Sequence, residues 1–157
     1  MKKAEKKKYV SLIHKYANDI IYNATYKTQK MYMQHGVTSV LEHEINVTIY
    51  ALKIANTLRL KVDEKTLIRG CLLHDYFLYD WHTDNNNHGL HGFTHAKTAL
   101  NNASNEFELN KIERNMIYCH MFPLNLRVPK YKESIILCIA DKIVATKETI
   151  HRKRGLK

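Results

Sequence analysis

From residue 5 to about residue 34, the apolar residues Tyr9, Leu12, Ile13, Tyr16, Ile20, Ile21 and Ala24 recur at spacings of three and four. That pattern predicts one amphipathic helix, which Gly36 ends. Ser39 with Glu42 three residues on has the form of a capping box. It opens a second helix that turns Val40, Leu41, Ile45, Val47, Ile49, Ala51, Leu52 and Ala55 inward. Asp63 can cap a third helix, which carries Leu67, Ile68, Cys71 and Leu72 and brings an adjacent His74 and Asp75 near its end. A fourth helix is predicted over about 94–103 and a fifth over about 108–121, stopped by Phe122-Pro123. A sixth, over about 131–151, places Ile135, Ile136, Ile139, Ile143 and Val144 on its apolar face. The stretch 80–92 is rich in turn formers and reads as a surface loop.

Composition supports this picture. The 157 residues suffice for one domain, 1–157, with a core that needs no disulfides. Only 5 Gly and 2 Pro interrupt the chain, which favours long helices over hairpins. Cys71, Cys119 and Cys138 form no CxxC pair and sit among apolar residues, as buried reduced thiols do. No run approaches 18 uncharged apolar residues and the start of the chain has no signal-peptide pattern, so a cytoplasmic location and no membrane partner are expected. The net charge of +10 gathers largely in the basic ends, Lys2 to Lys8 and Arg152 to Lys157, where solvated lysines aid solubility. Nucleic acid is therefore not an expected partner.

The chemistry begins at the His74-Asp75 pair. An imidazole and a carboxylate side by side share a target where a divalent cation sits between them, but two ligands are too few to hold one. His43, His95, His120 and Asp141 are the further candidates, each from a different predicted helix. A single histidine on an apolar face is ordinarily a core residue. Asp141 is different, because a carboxylate facing the core unpaired costs several kcal/mol and a cation removes that cost.

The ordered set His43, His74-Asp75, His95, His120, Asp141 resembles the HD-domain superfamily of metal-dependent phosphohydrolases. The resemblance spans about 39–148 and includes Val40-Leu41-Glu42-His43, Leu72-Leu73-His74-Asp75, His91-Gly92-Phe93-Thr94-His95-Ala96, His120-Met121-Phe122-Pro123-Leu124 and Ala140-Asp141-Lys142, which look like the small bacterial HD-domain proteins. It implies an all-α, compact HD-domain bundle of about six or seven helices, cleaving a phosphate ester of a small phosphorylated molecule, with nucleotides the leading class. It implies that His43, His74, Asp75 and Asp141 bind one metal ion, that His95 and His120 serve a second, and that Asp75 bridges both. His91 competes with His95 for the middle position, but the twenty-five residues from His95 to His120 match the family spacing better.

By the same resemblance His74 and Asp75 belong to the reacting centre, and Lys142 would stabilise phosphoryl charge. Placement in the loops rather than the resemblance makes His82, His91 and Arg127 the candidate substrate contacts. Mixed nitrogen and oxygen ligation accepts iron, manganese, zinc, cobalt or nickel, one ion or two, and does not choose among them. The acidic residue that nucleotide-specialised members carry a few positions after the pair has no match, since Leu78 stands there and Asp80 lies further on. The resemblance therefore does not extend to a particular nucleotide. A di-iron oxygenase on the same scaffold and a non-catalytic metal- or nucleotide-binding module are the alternatives. A homodimer is compatible with the sequence.

Overall fold

The computed structural model describes residues 3–35, 38–79 and 91–155, without the side chains of residues 35, 91–93 and 151–155. The N-terminal periodicity does not produce one long helix. It divides into α1 (Lys3–Tyr16), α2 (Asn18–Ile21) and α3 (Ala24–Thr28), followed by a 3-10 turn over Gln29–Met31. The first break is at Ala17, whose backbone leaves the helical region (φ −138°, ψ 34°). The second is at Asn23, which is extended and accepts the Tyr26 N–H at 2.9 Å. Asparagine competes with helix continuation by such local bonds. Tyr9, Ile13 and Ile20 are nevertheless buried, as the periodicity requires, whereas Ala24 is exposed and Tyr26, outside the periodic set, is buried instead. This division raises the helix number from the expected six or seven to eight among the described residues.

A short antiparallel ribbon follows, β1 (Met33–His35) against β2 (Thr38–Ser39), with Met33 opposite Ser39. Its strands are too short to show an alternating pattern. β2 runs straight into α4 (Val40–Thr57), where Ser39 and Glu42 form the expected capping box. The Val40 N–H also donates to the Tyr32 carbonyl at 2.8 Å, which ties the ribbon to the start of α4. At its far end Arg59 takes left-handed backbone (φ 52°), letting the Leu60 N–H reach the Ala55 carbonyl at 2.9 Å. That closure normally uses glycine, so no sequence signal marked it.

The remaining helices are α5 (Glu64–Leu72), α6 (His91–Glu106), α7 (Lys111–Cys119) and α8 (Lys132–Gly155). Asp63 caps α5 as expected, and Asn110 with Glu113 forms a second capping box on α7. α4, α5, α7 and α8 pack together around Val47, Leu52, Leu67, Leu72, Met116 and Leu137, and α6 lies on α7. Gly70 marks the closest approach of α5 to α7, because a Cβ there would lie 2.5 Å from the Met116 sulfur. Gly70→Val is expected to overpack this contact and cost roughly 1–3 kcal/mol, read as a lower urea midpoint at unchanged slope.

On α8 the apolar face differs in part from the predicted one. Ile136 and Val144 are buried as expected, together with Leu137 and Asp141, whereas Ile135 and Ile139 are 47% and 46% exposed. Positions 137, 141, 144 and 148 form one stripe at helical spacing, and 135 and 139 lie on another. The stripe that buries Asp141 wins over the one richer in isoleucine. A groove of about 1100 Å³ is lined by Asp19, Arg69, Asn110 and Glu113 and by none of the candidate ligands. Arg69 fills a structural role there, pairing with Asp19 at 2.6 Å and Glu113 at 3.3 Å to link α2, α5 and α7. Among the described residues no helix is long and apolar enough to cross a membrane.

Candidate metal centre

His74 and Asp75 lie just beyond α5, after its C-cap Leu73, where the Tyr76 N–H bonds the Leu73 carbonyl at 3.3 Å and the Phe77 N–H the Asp75 carbonyl at 2.7 Å. The turn, rather than helical projection, aims both side chains inward. His120 has the same placement at the end of α7. His74 Nδ1 donates to the Cys71 carbonyl and His120 Nδ1 to the Ile117 carbonyl, each at 2.8 Å. Each ring thereby satisfies a carbonyl left over at a helix end, and the bond fixes its tautomer. Nε2 of the neutral ring is left bare and faces inward.

His43 enters from the first turn of α4, His95 from α6 and Asp141 from the middle of α8; all six residues are buried. His43, His74 and Asp141 form one group whose donor atoms lie within 4.8 Å of one another, and Asp75, His95 and His120 form another. Asp75 faces both. Its Oδ1 is 3.4 Å from His95 Nε2 and 3.3 Å from His120 Nε2. Its Oδ2 is 3.4 Å from His74 Nε2 and 3.8 Å from His43 Nε2.

Charge among the six side chains is balanced between carboxylates and protonated imidazoles. Burial disfavours the charged form of His43, but bonds to Asp141 (3.1 Å) and Glu148 (2.8 Å), with the charge of Asp75, outweigh it and raise the pKa to about 10. His74 is likewise opposed by burial and lifted by Asp75 and Asp141 to about 9. Burial would raise the Asp75 carboxyl, yet the charge of His74 and the contacts with His120 and His95 hold it well below the usual range. Asp141 is held low by His43 and His74 against the same burial. Burial and the neighbouring His95 and His74 depress His120, so its ring is neutral at pH 7 despite Asp75. His120 Nε2 therefore accepts from His95 Nε2, 2.8 Å away.

The donor set fits divalent metal. Neutral imidazoles and carboxylates supply mixed nitrogen and oxygen ligands. Two buried atoms within the set, His74 Nε2 and Asp75 Oδ1, have no hydrogen-bond partner among the described residues. A cation at each group would satisfy them.

The other expected site residues are placed as follows. Lys142 Nζ donates to the His120 carbonyl at 3.2 Å and the Cys138 carbonyl at 3.4 Å, at the negative end of α7. The Arg127 guanidinium lies 3.8 Å from the centre of the Tyr118 ring. His91 is the first residue of α6, but its side chain lies outside the described residues, as does His82 altogether.

Three polar residues around the centre escaped the sequence reading, the half-buried Glu148 and the buried Glu44 and Gln34. Glu148 accepts from His43 Nδ1 and, through its other oxygen, from Asn46 at 3.2 Å. Seven residues after Asp141 on one helix face, it was in reach of the periodicity. Glu44 accepts from Gln29 at 2.9 Å, and its carboxyl is pushed up to about 8 by burial against the pull of His74. Gln34 on β1 donates to Asp75 Oδ2. Glu148→Gln is expected to weaken metal binding at the His43 group by roughly 10–100-fold, because an outer carboxylate orients a ligating imidazole and raises its basicity. Calorimetric titration with zinc checks this.

The HD-domain family model matches residues 40–146, more than half of the chain, and the chain belongs to this family of metal-dependent phosphohydrolases. The match covers His43, the His74-Asp75 pair, His95, His120 and Asp141. No curated protein and no solved structure matches the chain.

Proposed function

We propose that this protein hydrolyses a phosphate ester of a small phosphorylated substrate, with nucleotides the leading class, at a two-metal centre. The observation that carries the proposal is Asp75, which turns Oδ2 to His74 and His43 of one donor group and Oδ1 to His95 and His120, its partners in the other. His43, His74 and Asp141 would hold one ion, His95 and His120 the other, and Asp75 would be shared. When bound, such ions polarise a phosphoryl oxygen and lower the pKa of water to near neutrality. The chain's own residues do the rest. The Cys71 and Ile117 carbonyls and Glu148 hold Nδ1–H of His74, His120 and His43, so each ring keeps Nε2 toward the centre. Burial of all six side chains keeps bulk water from competing for the donors. Lys142, whose Nζ donates to the His120 carbonyl, would supply positive charge to the phosphoryl group.

The test is to purify the protein with defined metals and screen phosphomonoesters, nucleotides and cyclic dinucleotides for phosphate release. Turnover that needs metal but not dioxygen is expected, and it should vanish in the His74→Ala/Asp75→Ala double variant. A double variant as active as the parent would overturn the assignment.

A further inference from the structure

We propose that Gln34 is a positioning residue that holds the Asp75 carboxylate across the two donor groups. The inference rests on the two-metal reading above and adds to it a residue outside the six donors. Gln34 is buried, with 6% exposure, and its Nε2 donates to Asp75 Oδ2. An amide can face an ionised carboxylate only through its N–H side, so the direction of this bond is fixed by charge. The consequence is that Oε1 points away from Asp75, and it has no hydrogen-bond partner among the described residues. A side chain kept only for packing would not bury an unsatisfied acceptor, since an apolar residue of the same size avoids that penalty.

Asp75 needs such a partner. The terminal torsion of an aspartate is broad, so the carboxylate can turn unless something pins it. The four imidazoles around it do not: Oδ1 lies 3.3–3.4 Å from two of them without a well-aimed hydrogen bond. The bond from Gln34 fixes Oδ2 on the side of His74 and His43, and thereby leaves Oδ1 to His95 and His120. One of the two lone pairs of Oδ2 is engaged by the amide, and the other stays available for an ion. Placement of the amide is itself coupled to the first donor group. β1 pairs with β2, β2 continues into the capped start of α4, and the Val40 N–H bonds the Tyr32 carbonyl at 2.8 Å. The ribbon therefore registers Gln34 to the helix that carries His43.

Gln34→Met keeps the length and shape of the side chain and removes the donor. The probe is manganese(II), titrated into metal-free parent and variant, with stoichiometry read by calorimetry and spin coupling by electron paramagnetic resonance. The parent is expected to bind two ions and give the spectrum of an exchange-coupled pair. In Gln34→Met the second ion should bind roughly 10–100-fold more weakly, the usual effect of losing an outer-sphere partner. Its spectrum should shift toward the six-line signal of isolated ions. A variant with the parent's affinities and coupled spectrum would overturn the role of Gln34 while leaving the two-metal reading intact. A parent that binds no manganese would overturn both. Should the variant not fold, amide exchange in the metal-loaded parent decides. Side-chain N–H protons of Gln34 exchanging more than tenfold slower than those of a solvent-exposed glutamine support the bond, and exchange at the solvent rate contradicts it.

Discussion

Asp75→Asn is expected to abolish binding of both metal ions and to lower turnover by about a thousandfold or more. The substitution keeps the shape of the side chain but removes the one negative charge that faces four imidazoles. Each donor group then loses a carboxylate oxygen, and the second keeps only His95 and His120. Metal ions contribute several kcal/mol of charge stabilisation to phosphoryl chemistry, and each 1.36 kcal/mol is tenfold in rate. The metal-free variant is expected to be less stable as well, by on the order of 3 kcal/mol, because a buried ion pair is broken from one side. Metal content by elemental analysis, together with phosphate release and urea unfolding, reads all three effects. Two ions retained at the parent's affinity would contradict the shared role of Asp75.

Metal affinity at the His43 group is expected to climb steeply with pH. In the metal-free protein His43 and His74 are raised to about 10 and about 9, so both rings carry a proton at pH 7 that an ion must displace. Release of two protons makes the apparent affinity rise about 100-fold per pH unit near neutrality, flattening as pH passes 9 and then 10. The group containing His120 should respond less, since burial already keeps that ring neutral. Stability follows with the opposite sign. A histidine whose folded pKa is raised contributes stability in full below about 6.5, and that contribution is lost as pH rises through the folded values. Metal replaces the lost protons, so the gain in Tm on adding metal should be larger at pH 8.5 than at pH 6.5. Calorimetry in buffers of different ionisation enthalpy counts the protons released; an affinity independent of pH would contradict the assignment.

Much of the candidate centre could be read from the sequence because its candidate ligands sit at helix landmarks. The Ser39–Glu42 box fixes the start of α4 and with it His43, and Asp63 fixes the α5 register that delivers His74 and Asp75. The family resemblance of the ordered set then pointed to His95, His120 and Asp141 as further candidate ligands. Other features depend on tertiary choices that no local pattern encodes. The break at Ala17 falls on a residue with high helix propensity, and Arg59 closes α4 in a conformation usually taken by glycine. The face of α8 is chosen by the need to bury Asp141 and bring Glu148 to His43, at the expense of exposing Ile135 and Ile139. Gln34 comes from a ribbon too short to show a period, and its meaning emerges only from contact with Asp75, forty-one residues away.

A crystal of the protein grown with manganese, measured at a wavelength where manganese scatters anomalously, counts the ions at the centre. Two anomalous peaks per chain are expected, one among His43, His74 and Asp141 and the other between His95 and His120, with Asp75 touching both. A folded chain with no peak at either group, at millimolar manganese and pH 8, would contradict the two-metal reading.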